Sequence, residues 1–158
     1  MSMMGELLFF LRLQIRQTKE GTLIHQQKYV RELIKKYGLS DAKPYDTPIS
    51  STIKLDQDEK GKEVNDITYR GMIGSLLYLT ASRPNIMFSV GLCARFQSCP
   101  KESHMVATKR ILHYLKGTED LGLWYPKGDN FTLVGYSDTD FAGDRIHKKN
   151  TSGMAVFL

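Results

Sequence analysis

The chain is poor in the residues that announce a familiar chemistry. It has two cysteines in 158 residues, Cys93 and Cys99. They lie six apart in a stretch that reads as helix, so two reduced, partly buried thiols are expected rather than a disulfide or half of a zinc site. Its four histidines, His25, His104, His113 and His147, have no serine or cysteine partner at a catalytic spacing. There is no phosphate loop, no dinucleotide glycine pattern and no nucleophile elbow. No run of about eighteen apolar residues occurs, which argues against a membrane span. The first residues, Met1-Ser2-Met3-Met4-Gly5-Glu6, lack a basic region and a small-residue cleavage site, so an intracellular protein, in cytoplasm or nucleus and not secreted, is expected.

What is present is a moderately apolar chain, 41% hydrophobic, with a net charge of +5. That is enough for one modest core or two small ones. The positive excess is spread over both halves and forms no tail, which suits a phosphate-backbone partner without establishing one.

Periodicity divides the chain. Residues 7–17 begin apolar and then alternate, with Leu11, Leu13 and Ile15 on one face and Arg12, Gln14 and Arg16 on the other. A turn signal at 18–22 and a short return at 23–26 complete a β-hairpin. Its polar face is either merely wet or holds a polyanion. Over 27–37, Val30, Leu33, Ile34 and Tyr37 fall at helical spacing with Gly38 beyond, an amphipathic helix whose other face is basic. Residues 39–66, with Pro44, Pro48 and a charged run, have too little apolar surface to pack and are expected to form a mobile linker.

Three helices are predicted next. The first, near 67–80, has a stripe of Tyr69, Ile73, Leu76, Leu77 and Thr80, and Gly71 and Gly74 leave room for a close neighbour. The second begins at Pro84 with Ser82 as its cap. The third lies between Pro100 and Gly117, burying Ala107, Ile111, Tyr114 and Leu115 and showing Lys109, His113 and Lys116 on a separate face. Three strands follow, at 121–125, 131–136 and 154–158, with a turn at Gly128-Asp129-Asn130 between the first two. The fold class is therefore α+β: an N-terminal hairpin and helix, a central three-helix region and an incomplete C-terminal antiparallel sheet. The boundaries fall at 1–38, 39–66, 67–117 and 118–158.

The candidate chemistry lies at the end of an apolar run, where Asp138 and Asp140 stand two residues apart. Hydrolysis of a phosphodiester with two divalent ions needs several carboxylates brought together, because Mg²⁺ prefers hard oxygen ligands. Two aspartates at this spacing leave open whether Asp138 binds metal or caps a turn. Asp144, Asp129 and Glu119 add no convergence.

One ordered set of motifs is far more specific. Phe10-Leu11-x-Leu13-Gln14-Ile15, Gln27-Lys28-Tyr29-Val30, Tyr69-Arg70-x-x-Ile73-Gly74-Ser75-Leu76-Leu77-Tyr78-Leu79, Ser82-Arg83-Pro84-Asn85-Ile86, Lys109-Arg110-Ile111-Leu112-x-Tyr114-Leu115-Lys116-Gly117-Thr118 and Gly135-Tyr136-Ser137-Asp138-x-Asp140 follow one another along the chain. In this order they closely resemble the Pol polyprotein of copia-type LTR retrotransposons, over essentially the whole chain. The resemblance implies the end of a reverse transcriptase, its thumb-like and connecting helices, and the start of an RNase H-like fold. It implies a primer-grip role for residues 10–15, in which Arg12 and Gln14 would meet nucleic acid, and a first metal-binding carboxylate at Asp138, with Asp140 as a weaker second.

It also implies Mg²⁺ as the cofactor of the parent enzyme, with none held stably by this fragment. The partners it implies are an RNA–DNA hybrid or duplex, gripped weakly if at all by the basic helix faces of Lys109 and Lys116, and the missing parts of the polyprotein; a second copy joined at the C-terminal strand edge is expected from the unpaired backbone of the 154–158 strand. No membrane partner is expected. The family usually has glycine where this chain has Arg12, and usually has aspartate at the position of Asn85 and Asp-Arg-Lys-Ser where His147-Lys148-Lys149-Asn150 stands. No Tyr-x-Asp-Asp motif occurs in the chain. A fragment without a complete polymerase or nuclease site, catalytically inactive alone, is the expectation; a non-catalytic remnant that binds nucleic acid is the alternative.

Overall fold

A computed structural model describes residues 7–50, 55–128, 134–140 and 151–157. The fold is α+β, as the periodicity predicts, and the described residues form a four-stranded antiparallel sheet in the order β1-β2-β3-β4, four helices, and a separate two-stranded sheet. The strands are β1 (Phe9–Phe10), β2 (Leu13–Gln17), β3 (Gly21–His25), β4 (Leu123–Pro126), β5 (Val134–Asp140) and β6 (Thr151–Phe157). The helices are α1 (Gln27–Lys36), α2 (Asp66–Leu79), α3 (Met87–Ala94), preceded by a 3₁₀ turn at Pro84–Ile86, and α4 (Glu102–Gly117).

The single strand expected over 7–17 is interrupted. Leu11 and Arg12 have φ of +46° and +62° and form a two-residue turn between β1 and β2, with Phe10 opposite Leu13. Two successive positive φ angles give a turn whose twist matches that of its flanking strands, and glycine or asparagine usually supplies them. Leucine and arginine give no such signal, so alternation alone hides the turn. A second correction concerns residues 121–125. They do not pair with the C-terminal strands; β4 runs beside β3, with Leu23 opposite Trp124. Gly21 permits this approach, since a Cβ there would lie 2.4 Å from the Tyr125 carbonyl oxygen. The turn expected at 128–130 falls partly outside the described residues, because Asp129 and Asn130 are not among them.

The core is helical. Tyr29, Val30, Leu33 and Ile34 of α1 join the buried faces of α2, α3 and α4, which include Ile73, Leu76, Val90, Ile111 and Leu115. The α1 spacing is the one read from the sequence, and Gly38 follows it with φ of +67° as a left-handed stop. In α2 the stripe is rotated: Met72 and Leu79 are buried, whereas Leu77 is 47% exposed. In α4, His104, Thr108 and Leu112 are buried and Tyr114 is only half-buried. Ser82 does not cap the following turn: the cap position falls at Arg83, which makes no side-chain cap, and the Ser82 hydroxyl donates to Gln26 Oε1 at 2.7 Å. Cys93 is buried but Cys99 is exposed, and both are free thiols.

Among its described residues the expected linker carries no helix or strand over 39–65, yet these parts are held along α4. Leu55 is buried in the core. Glu63 bridges to Lys101, the Val64 amide donates to the Pro100 carbonyl at 3.4 Å, and the Glu102 amide donates to the Lys62 carbonyl at 2.9 Å. Low apolar content rules out a core of its own; it does not stop a strap from using a helix beneath it. In the two-stranded sheet the strand expected at 131–136 runs instead through Asp140, and β6 begins at Thr151. No helix among the described residues is long and apolar enough to cross a membrane.

Candidate nucleic-acid interface

The β1–β2 turn is docked on the helices by the residues that strain it. The Arg12 guanidinium lies 4.8 Å from the centre of the Tyr29 ring and 3.9 Å from the Glu32 carboxylate. Both charges are more than half exposed, so the ion pair is worth at most about 1 kcal/mol, and the ring contact contributes a similar amount. The Tyr78 hydroxyl donates to the Leu11 carbonyl, and the Tyr29 and Tyr78 rings meet edge to face at 5.4 Å. Gln14 accepts at 2.8 Å from the backbone amide of Lys28 in the first turn of α1. That amide has no partner within the helix. The helix's own cap residue, Gln26, makes no side-chain cap. Arg12 and Gln14 are therefore engaged within the protein, and the outward cations at this end are those of α1: Lys28, Lys35, Lys36, and Arg31 paired at 2.7 Å with Glu119.

On α4 the three residues expected on one basic face have different occupations. Lys109 is exposed and makes no hydrogen bond or ion pair with any described residue. Lys116 donates to the carbonyls of Ser40 at 2.6 Å and Ala42 at 2.7 Å. His113 meets the Lys43 carbonyl through Nδ1 at 2.6 Å and stacks on Tyr45. Arg110 joins them by donating to Thr47 Oγ1 at 3.0 Å and lying 4.7 Å from the Tyr45 ring. This face holds the strap, and Lys109 alone of the three is left pointing at solvent.

The densest polar construction is one that periodicity did not reveal. Arg83, 2% exposed, donates to the Thr118 carbonyl and to Thr118 Oγ1, both at 2.7 Å, and to Asn85 Oδ1 at 3.2 Å. Asn85 in turn donates to the Tyr114 hydroxyl at 2.6 Å. Burial lowers the Arg83 pKa from its ordinary value, and Tyr114 and Asp120 partly offset this. Two motifs far apart in the chain, Ser82-Arg83-Pro84-Asn85 and Lys116-Gly117-Thr118, thus meet in a clamp that closes the last turn of α4. A second buried link joins Tyr69, whose hydroxyl donates to the Cys93 carbonyl at 2.7 Å. Burial pushes the Tyr69 phenol up to about 12 and the Cys93 thiol up to about 11. His25, partly buried near Arg16, is held below the ordinary imidazole value, first by burial and then by that cation.

Asp138 and Asp140 lie within β5, opposite Gly153 and Thr151 of β6. Asp138 is therefore inside a strand rather than at its end. Carboxylates are the right donor type for Mg²⁺, but a two-metal centre needs more of them than these two. Among the described residues no group of three or more His, Cys, Asp or Glu could hold a metal ion. These two carboxylates by themselves are fewer than a complete magnesium site requires.

No protein-family model matches the chain, and no solved structure matches it significantly. Three curated relatives are retrovirus-related Pol polyproteins from plant transposons. Those from transposons RE1 and RE2 of Arabidopsis thaliana are 37% and 34% identical over 153 residues, 97% of this chain and 10% of each relative. One from transposon TNT 1-94 of Nicotiana tabacum is 33% identical over 145 residues, 87% of this chain and 11% of the relative. The chain is thus homologous to a small part of retrovirus-related Pol polyproteins from copia-type transposons, spanning about a tenth of the length of these relatives.

Proposed function

We propose that this chain is the stretch of a Pol polyprotein that runs from the end of a reverse transcriptase into the start of an RNase H-like domain, and that alone it is catalytically inactive. The observation that carries this reading is the unbroken order of motifs along one helical body, several of them engaged with one another. Arg83 holds Thr118, and Tyr78 holds the turn at Leu11. On this reading the β1–β2 hairpin is the primer-grip element, the four helices are its thumb-like and connecting support, and the RNase H-like part begins with β5. Asp138 is the first carboxylate of a metal site whose other ligands and Mg²⁺ belong to a complete domain. The compartment is intracellular, and the edges of the β5–β6 sheet, unpaired among the described residues, are where a second copy or further strands add.

Purified chain with Mg²⁺ or Mn²⁺ should neither extend a primed template nor cut the RNA of a hybrid. Metal-dependent cleavage that disappears in Asp138→Asn would overturn the proposal. A second reading, a remnant that still binds an RNA–DNA hybrid or duplex, is favoured by one observation: Lys109 and the α1 lysines are exposed cations. Such binding would be weak, insensitive to sequence and steeply dependent on salt.

A further inference from the structure

The apolar face of the four-stranded sheet points away from the helices beside it. Directly opposed partners and alternate residues of a strand share a face. The register therefore gathers Phe10, Leu13, Ile15, Ile24, Leu123 and Tyr125 on one side. The contacts that join the sheet to α1 come from the other side, that of Phe9 and Gln14. There Gln14 accepts from the Lys28 amide, and the Phe9 ring centre lies 5.6 Å from the Lys28 ammonium. None of the six residues on the first side belongs to the buried core. Phe10 is 53% exposed and the other five are partly exposed. Among the described residues no helix packs broadly on this sheet.

A sheet with one apolar face normally buries it against a second layer. Size and charge both bear on what that layer is. Four strands about 4.8 Å apart, with about four residues each, make a face of roughly 19 by 13 Å. One helix is about 10 Å across and would leave half of that width in water, whereas another four-stranded sheet matches it. The chain carries a net charge of +5, so two copies repel one another across most of their surfaces. This face holds no charge to oppose its like. Its polar members are Gln17, Thr22 and the Tyr125 hydroxyl, while Arg16 and the α1 lysines lie on the other side.

We infer that two copies of the chain pair through this face, sheet against sheet, about a two-fold axis. The two sheets lie about 10 Å apart, with Leu13, Ile15, Ile24 and Leu123 of each copy interdigitating. A face this small buries less than the roughly 1,200 Å² in total that marks a standard interface. The pairing is accordingly weak, with a Kd on the order of 10–100 µM. It uses the side chains of the sheet face, not the backbone edge of the β5–β6 sheet.

Sedimentation velocity of the full chain, from about 1 to about 300 µM, tests the assignment. The sedimentation coefficient should rise with concentration to that of a dimer and stop there. Ile15→Lys and Ile15→Glu should each weaken the pairing at least about tenfold, because each sets like charges against one another across the axis. An equimolar mixture of the two variants should pair again, which misfolded chains could not do. Arg16→Gln, on the opposite face, should leave the dimer unchanged. A chain that stays monomeric at about 300 µM would overturn the inference and leave the missing parts of the polyprotein as the cover for this face. Pairing that persists in both Ile15 variants would also overturn it, by moving the contact to the β5–β6 edge. So would a mixture of well-folded variants that fails to pair.

Discussion

Replacing Arg83 tests whether the motif clamp holds the body together. In Arg83→Met the stem is kept but the three donated bonds to Thr118 and Asn85 are lost. A hydrogen bond from a charged group contributes about 1.5–3 kcal/mol, and a carbonyl left without a partner costs up to about 3 kcal/mol when fully buried, less at the part-buried Thr118. These terms overlap, and the buried charge is itself removed, so a net loss of about 3–4 kcal/mol is expected. Set against a total stability of roughly 5–15 kcal/mol for a domain, that is a large fraction. With a urea slope of about 2 kcal/mol per molar, the midpoint should fall by about 1.5–2 M. The one tryptophan, Trp124 in β4, follows the clamp in sequence and pairs with β3, so its fluorescence reports the region at risk. Arg83→Lys should recover less than half of the loss, because an ammonium cannot reproduce the fork that reaches both Thr118 oxygens. A midpoint shift below about 0.5 M for Arg83→Met, or a lysine variant equal to the parent, would refute the clamp.

Three further outcomes can be checked. At the β1–β2 turn, Arg12→Gly relieves about 1 kcal/mol of left-handed strain while losing a similar ring contact, whereas Arg12→Ala loses the contact and keeps the strain. The glycine variant should therefore be the more stable of the two by about 1 kcal/mol, and the reverse order in urea would count against the turn. Tyr69 and Cys93 both have folded pKa values raised above their unfolded ones, so their stabilisation is complete below the unfolded pKa. It should be lost as pH rises from about 9 toward 12, and Tyr69→Phe should flatten the upper part of that decline. For nucleic-acid binding, Lys109→Ala should reduce the salt slope by about 0.9 per lost phosphate contact. Lys116→Ala should instead speed amide exchange across 39–48, because its ammonium holds the carbonyls of Ser40 and Ala42. An unchanged exchange rate there would show that those contacts do not hold the strap.

The parts of this structure that were legible in the sequence are those specified locally. Val30, Leu33 and Ile34 recur at helical spacing and Gly38 ends the pattern, so α1 could be read to within a residue or so at each end. Residues that act at a distance left no pattern. The partner of β4 is chosen by a strand a hundred residues away, and the nearest local hint is the small size of Gly21. Leu11 and Arg12 adopt backbone angles their side chains disfavour, so only the family resemblance, through its usual glycine, pointed there. The candidate site divides the same way. Asp138 and Asp140 were found by residue type, while the occupations of Gln14, His113 and Lys116 depend on segments that meet them only in the folded chain.

The strap along α4 has a consequence for how the chain tolerates change. His113, Lys116, His104 and the Glu102 amide all engage main-chain carbonyls, those of Lys43, Ser40, Ala42, Asp56 and Lys62. Every residue type offers the same carbonyl, proline included. At these positions the strap's route is therefore encoded by the helix beneath it, and its own side chains can be exchanged with little effect on where it runs. A change of His113 or Lys116 releases several strap positions together, whereas a change of Ser40, Ala42 or Lys43 releases none of these bonds. At these carbonyl positions, then, exchange of a strap side chain leaves the bonds in place, whereas loss of His104, His113 or Lys116 on the helix removes them.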